Sequence, residues 1–399
     1  MKLKQELITK KKKLPEGWRI LPYEKCVAKL KLNKVKKYKV TEYLKEGKYP
    51  IIDQSKELIN GYTNIENDVM YFETPVIIFG DHTLNVKYVD FPFARGADGT
   101  QIITPNINIV VPKYFYYHLL SLNIKVKLYE RYFKYVKQSF FIIPPLPEQQ
   151  KIVSKLDRQM TQIEMMKREA EKEKISSRNI LYSELEEIFS NIKGKEILIE
   201  NLIKDSVSGF ACAINRLVKD GGYVHLRPFN IGGFGKLNLE TQYQVPLEIV
   251  DREKYFLNKG NILFNNTNST ELVGKSVLIE EDYNYAFSNH INKIVVNKDL
   301  VIPQFFEYYL LYLWFIGHFA RNCKKWIGQS GYTLNKLKEQ HIIIPEMSKQ
   351  EKIVEELNKI KDIQDSIKSN SESQMEALNQ LLSSILNEVF GQYKIPEEA

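Results

Sequence analysis

The sequence predicts an α+β protein: two mixed α/β globular domains separated by two long helices that pair as an antiparallel coiled coil, with an approximate two-fold relating the halves. Three observations carry this. The phrase IIPPLPEQQKIV, Ile142 to Val153, returns as IIPEMSKQEKIV, Ile343 to Val354, and the offset of 201 residues holds without a gap to Phe189 and Phe390. Apolar residues follow each phrase at helical spacing for roughly 40 residues. Short runs rich in β-branched and aromatic residues, bounded by turn formers, fill the long segments in between.

The predicted order is a first domain over residues 1–145, a helix over 146–191, a second domain over 192–345 and a helix over 346–399. In the first domain PVIIFG and NINIVVP read as strands, followed by a helix near Tyr114 to Leu122. In the second, GNILFN, KSVLIEE and NKIVV read as strands, followed by a helix near Gln304 to Ala320. Each domain closes on an Ile-rich run that ends in proline, because proline cannot continue donating to a ladder. A helix then opens, with Pro147 and Glu148 in the first turn of one copy and a capping box from Ser348 to Glu351 in the other.

Identities across the offset include Gln149/Gln350, Leu156/Leu357, Leu185/Leu386 and Glu187/Glu388. The apolar register drifts in the middle, where Ile163 faces Gln364. Upstream, VPKYFYYHLL from Val111 and IPQFFEYYLL from Ile302 match at an offset of 191. The repeated unit therefore includes its domain, and the chain carries two copies of one plan. A long helix with a single apolar stripe needs a partner. The other copy is the candidate; the alternative is that each helix folds back on its own domain.

Charge separates along the same divisions. Residues 1–141 carry 25 Lys/Arg against 14 Asp/Glu, net +11, and residues 192–341 carry 18 against 15, net +3. The two helical segments are net −1 and −5. Positive domains suit a polyanion, although a solvated lysine-rich surface explains the charge as well. Cys26, Cys212 and Cys323 are odd in number and far apart, which predicts reduced thiols in a cytoplasmic protein. The basic start MKLKQELITKKKK has no apolar run behind it and is not a signal peptide. The most apolar stretch, Phe305 to Ala320, holds 16 residues with Glu307 and His318 among them, too short to span a bilayer, so no membrane partner is expected.

Duplex DNA has local dyads, so a pseudo-two-fold protein with unlike basic domains suits a split, asymmetric target. The order of domain, PPLPEQQKIV with a long helix, domain, and PEMSKQEKIV with a long helix resembles the DNA specificity subunit of type I restriction-modification systems over essentially the whole chain. GDHTLNVKYVDFPFARGADGTQII from Gly80 and LNKGNILFNNTNSTELVGKS from Leu257 are similar to stretches of that family's target recognition domains. The resemblance implies a non-enzymatic subunit in which each domain reads one half of a bipartite sequence in double-stranded DNA. It implies two methylation subunits and the restriction translocase subunits as partners, with S-adenosylmethionine, ATP and Mg on those partners and no cofactor on this chain.

Candidate DNA contacts follow from residue chemistry. In the first domain they are His82, Thr83, Lys87, Arg95, Thr100 and Gln101, among glycines that allow close backbone approach. Arg95 suits a guanine edge or a phosphate and Gln101 an adenine; alternatively ADGT is a tight turn in which Arg95 pairs with Asp98. In the second domain the candidates are Asn265, Asn266 and Asn268 from NNTNST, which loop capping explains equally. Asn289, His290, Arg321, Lys324, Lys325, Gln329 and Ser330 follow, the lysines suited to phosphates beside Trp326. Arg227 is a further candidate, with a structural salt bridge as the alternative.

LVGKS lacks the first glycine of a phosphate loop, GGFG lacks the third glycine of a dinucleotide fingerprint, and the six histidines show no metal spacing. No asparagine- or aspartate-proline-proline-aromatic motif of an adenine methyltransferase is present. Two competing functions remain: the recognition part of a fused methyltransferase or nuclease, and a coiled-coil nucleic-acid scaffold without sequence preference.

Overall fold

The computed structural model describes residues 14–29, 35–96, 99–122, 124 and 130–391. The basic start of the chain and Asp98, the proposed partner of Arg95, lie outside the described residues. The chain divides into two compact units, residues 1–170 with 373–399, and residues 171–372.

In the first unit the strand Arg19–Pro22 runs antiparallel to Phe140–Ile143, with Arg19 opposite Ile143. The core sheet is antiparallel and three-stranded, with Val76–Gly80 between Val86–Val89 and Thr100–Ile103. Its central strand is buried along its whole length, as expected of a continuous apolar run. A second sheet joins Gly61–Thr63, Tyr49–Ile52, Phe93–Arg95 and Val69–Met70 in that order. Helix α1, Pro112–Leu120, opens with proline in its first turn.

The segment NINIVVP is not a strand. Asn106 closes it into a turn by accepting the Ile109 and Val110 N–H groups, each at 2.9 Å, and the backbone beyond is held by a helix, as follows. Helix α2, Leu146–Asn191, begins just after the closing strand. Gln149, three residues in, is fully buried. Its amide donates to the carbonyls of Pro144 at 2.8 Å and Ile109 at 3.0 Å, while its oxygen accepts the Val111 N–H at 2.8 Å. Trp18 adds a bond from its indole N–H to Glu148 at 2.9 Å.

The second unit repeats the scheme. Lys195–Leu198 pairs antiparallel with His341–Ile344. Its core sheet is four-stranded in the order Ile203–Ser208, Ile291–Val296, Ile262–Asn265, Ser276–Leu278. Two smaller sheets flank it. One joins Gln244–Val245, Tyr223–Leu226 and Ala286–Phe287, and the other joins Thr267–Asn268, Gln329–Gly331 and Lys324–Trp326. Helix α3, Pro303–Phe315, ends before Gly317, whose φ of 71° breaks the expected continuous helix to Ala320.

Helix α4, Met347–Phe390, starts one residue before the expected cap. The Glu346 carbonyl accepts the first helical N–H groups, from Lys349 at 2.9 Å and Gln350 at 3.0 Å, so Ser348 and Glu351 fall inside the first turn. Gln350 sets this start. Buried like Gln149, it donates to Pro345 and Leu300 at 3.0 and 3.1 Å and accepts the Ile302 N–H at 2.9 Å. A second staple is also duplicated: Tyr117 donates to Asp157 on α2, and Tyr308 donates to Asn358 on α4 at 2.6 Å.

Both alternatives for the long helices are realised together. In the first unit the early part of α2, with Leu156 and Met160, packs against the end of α4, with Leu382, Leu386 and Phe390, in one core with α1. In the second unit the late part of α2, with Leu181, Leu185 and Phe189, packs against the early part of α4, with Ile353 and Leu357, in one core with α3. Early pairs with late in each case, so the helices are antiparallel. Exposed ion pairs mark the register, Lys155 with Glu388 at 3.8 Å and Lys174 with Glu372 at 3.5 Å, and contribute little stability.

Buried positions recur every seven residues, at Leu156, Ile163, Ala170 and Ser177 on α2 and at Leu357, Gln364, Ser371 and Leu378 on α4. That is the 3.5-residue seam of a coiled coil. Its middle positions are small or polar, which is why the apolar register drifts there in the sequence. All three cysteines are free, Cys26 and Cys212 buried and Cys323 half-buried, and burial pushes the Cys26 thiol up to about 12. No helix among the described residues is long and apolar enough to cross a membrane.

Candidate nucleic-acid interface

In the second unit three separate stretches of the sequence converge on Asn266. Its N–H donates to the His290 carbonyl at 3.0 Å, and its carbonyl accepts the Tyr332 N–H at 2.8 Å. Its side-chain amide donates to the Asn289 carbonyl at 3.2 Å and to Asn292 at 2.7 Å. NNTNST, SNHI and the segment around Lys324 are thereby fixed as one surface. Thr270 and Ser330 tie the first and third again, hydroxyl to hydroxyl at 2.8 Å.

On this surface Arg321, Lys324, Lys325, Gln329 and Asn289 are exposed, and Asn266, Asn268 and His290 are half-buried. The Lys324 ammonium stands 5.5 Å from the Trp326 ring, within cation–π range. Arg321 turns partly back to cap α3, donating to the Ile316 carbonyl at 2.6 Å. Beside Asn289 opens a cavity of about 550 Å³ lined by Cys212, Ile214, Arg227, Phe229 and Tyr243 among others. Among the described residues Arg227 makes no salt bridge; its guanidinium donates to the Cys212 carbonyl at 2.9 Å and stands 5.8 Å from the Tyr243 ring.

Two candidates of this unit are scaffold. Asn265 is fully buried. With its amide oriented to satisfy both ends, it donates to the carbonyls of Thr267 and His290 and accepts from Asn268. Ser330 is also buried, its hydroxyl taken by Thr270. The capping explanation of NNTNST therefore holds for Asn265.

In the first unit the candidates gather around Gln54, which sequence reasoning overlooked. Its backbone carbonyl accepts the Thr83 hydroxyl at 2.5 Å and the Asn85 amide at 3.0 Å, and its side chain accepts the His82 N–H at 3.2 Å. Asp81 continues the brace. It accepts from Gln101 at 3.3 Å and from the Phe133 N–H at 2.9 Å. His82 and Thr83 face solvent, and Arg95 and Gln101 are half-buried. Arg95 donates to the Thr100 carbonyl, which begins a strand of the core sheet, whereas Arg95 itself ends a strand of the second sheet.

Lys87 and Thr100 correct the expectation for this unit, because both are buried. The Lys87 ammonium donates to the carbonyls of Asp53, at 2.8 Å, and Glu57, and to Asn60 at 3.2 Å. Burial lowers its pKa, opposed by the charges of Asp53 and Glu57. No donor is left facing outward for a phosphate. The second unit buries a lysine for the same purpose: Lys293 donates to the carbonyls of Lys254 at 2.6 Å and Phe256 at 3.1 Å. Lys87 stands opposite Ile78 and Lys293 opposite Leu263, each on a neighbour of the central buried strand.

Among the described residues no group of three or more His, Cys, Asp or Glu side chains is placed to hold a metal. Exposed cations beside amide groups, on surfaces braced from below, are suited to phosphate and base-edge contacts. The profile of the type I restriction modification DNA specificity domain matches residues 25–175 and again 182–377. The chain belongs to this family. DNA specificity domains recognise rather than catalyse, and this chain shares that non-catalytic character.

The specificity subunit of the Escherichia coli type I restriction enzyme EcoR124I/EcoR124II is 34% identical over 103 residues, 23% of this chain and 26% of that relative. The match thus spans about a quarter of the relative. A solved chain from a study of complex assembly and conformational transition in the type I R-M system superposes with a TM-score of 0.65 at 16% identity, covering 94% of this chain and 98% of that one. At that identity the likeness establishes the specificity-domain fold. The HsdS subunit of Thermoanaerobacter tengcongensis matches with a TM-score of 0.44 at 15% identity over 95% of this chain.

Proposed function

We propose that this chain is the sequence-reading subunit of a type I restriction-modification complex, and that each unit reads one half of a bipartite, asymmetric target in double-stranded DNA. The observation that carries the reading is the surface at Asn266, where three distant stretches bring exposed Arg321, Lys324, Lys325 and Gln329 beside Asn289. Lysines there suit phosphates, which position the protein, while Gln329 and Asn289 suit base edges, which discriminate. In the first unit His82, Thr83, Arg95 and Gln101 occupy the corresponding role. Because the two sets differ, the two half-sites differ.

Methyl transfer and restriction then come from partner subunits, two for methylation and others for translocation and cleavage, which hold S-adenosylmethionine, ATP and Mg. Residues 1–145 and 192–345 act as recognition domains in this scheme, and 146–191 and 346–399 as the helical spacer between half-sites. The test is selection of bound duplexes from a randomised pool by the full chain at matched salt. Two short conserved elements at a fixed gap are the expected result, with Gln329→Ala relaxing one element only. Equal affinity for every duplex would leave a scaffold without sequence preference instead.

A further inference from the structure

The hairpin that joins Lys324–Trp326 to Gln329–Gly331 presents an apolar tip that none of the described residues covers. Ile327 has a relative exposure of 105% and Trp326 of 52%. The tip is nevertheless rigidly mounted. Gln329–Gly331 is the middle strand of its sheet, paired on its other side with Thr267–Asn268 and tied through Ser330 to Thr270. Gly328 supplies the positive φ of 77° that the turn requires. Gly331 leaves room for the indole, since a Cβ there would stand 2.7 Å from a Trp326 ring carbon. Trp326 is thus seated on the sheet, and Ile327 projects beyond it.

Charge identifies what the tip meets. From Tyr308 to Lys338 the chain contains no Asp or Glu, while Arg321, Lys324, Lys325, Lys336 and Lys338 are all cationic. A stretch of chain of one charge sign on both sides of an apolar point fits a polyanion with an apolar feature inside its charged rim. The DNA major groove, about 12 Å wide, admits a two-stranded ribbon, and the C5-methyl of thymine is the apolar group on its floor.

Resting on the DNA-reading function above, we propose that this hairpin enters the major groove tip first and that Ile327 buries the C5-methyl of one thymine in the half-site read by residues 171–372. Lys324 and Lys325 hold the flanking phosphates. Ile327 is then a specificity-determining residue that reads by apolar contact, beside neighbours that read by hydrogen bonds.

The test uses the full chain and a duplex selected by it from a randomised pool. Each thymine is replaced in turn by deoxyuridine, which removes only the methyl group, and Kd is measured for wild type, Ile327→Ala and Lys324→Ala. One replacement is expected to weaken wild type about fourfold, the equivalent of roughly 0.8 kcal/mol for one such group. Ile327→Ala would be insensitive to that replacement, and Lys324→Ala would keep the wild-type sensitivity. Ile327 lacks native contacts to lose, and unchanged circular dichroism confirms that its variant folds. Equal sensitivity of wild type and Ile327→Ala at every thymine overturns the proposal while the DNA-reading function stands. A flat series in which Ile327→Ala weakens only the binding of a partner subunit overturns it in favour of protein docking. A wild-type chain with no sequence preference removes the reading function and this contact with it.

Discussion

The side-chain oxygen of Gln149 accepts the Val111 N–H at 2.8 Å, closing the first domain onto its helix through a group with no exposure to solvent. Gln350 does the same for Ile302. Removing either amide strands a buried proline carbonyl together with a part-buried N–H and a second, part-buried carbonyl, a buried group left unpaired costing about 1–3 kcal/mol. Gln149→Ala and Gln350→Ala are each expected to lower stability by about 3 kcal/mol or more in urea titrations. A loss below 1 kcal/mol would show that water replaces the clamp.

Lys87 separates structural from DNA-binding lysines. Lys87→Ala leaves the carbonyls of Asp53 and Glu57 without their donor, and a loss of about 2 kcal/mol in stability is expected. The salt dependence of DNA binding would not change. A smaller slope of log K against log salt would return Lys87 to the interface.

Lys324 and Lys325 are expected to behave in the opposite way. Each change to Ala would reduce the salt slope by about one, weaken binding to all duplexes alike and leave the melting temperature in place. Sequence-dependent weakening would assign them to bases rather than phosphates.

Glu307 on α3 is buried, and desolvation raises its carboxyl pKa to about 7, with Lys361 opposing and Glu280 reinforcing the shift. The native state therefore holds a proton that the unfolded state releases above its ordinary value of 4.5. Stability from this group is present below pH 4.5, declines as pH rises to about 7, and stays lost above it, a difference on the order of 3 kcal/mol. Glu307→Gln would raise the melting temperature at pH 8 and not at pH 4.5. Parallel pH profiles for the two proteins would contradict the assignment.

His118 and His225 work in the reverse direction. Burial lowers both to about 4, with Arg227 also acting on His225. The unfolded state takes up protons first as pH falls, so stability declines from about pH 6.5 and the loss is complete near pH 4. His118 accepts the Ile142 N–H at 3.0 Å through Nε2, so His118→Gln keeps an acceptor and removes the titration. Its melting temperature would fall less steeply between pH 6.5 and 4 than that of the wild type.

The repeat was readable because it is written in local terms: a strand ended by proline, a glutamine in the first helical turn, and apolar residues at helical spacing. NINIVVP misled because its alternation mimics a strand, while Asn106 and Gln149 capture its backbone instead. The candidate site was legible in residue type and not in burial. Lys87 carried a usable signal, since it lies two residues from buried Val89 on the same face of its strand. Asn265 carried one in NNTNST, where loop capping stood beside base contact, and Thr267 and Asn268 are among its partners; Ser330 carried none, because Thr270 lies 60 residues away. Gln54 was invisible because it acts through its backbone carbonyl and its side chain on a turn 28 to 31 residues away.

Cys323 directly precedes the basic hairpin and is half-buried, whereas Cys26 and Cys212 are enclosed. The native chain thus places the most accessible of its three thiols beside the surface assigned to DNA. Mild alkylation with a maleimide dye would label that position ahead of the other two, and a reporter of hairpin docking can be attached without altering a single residue.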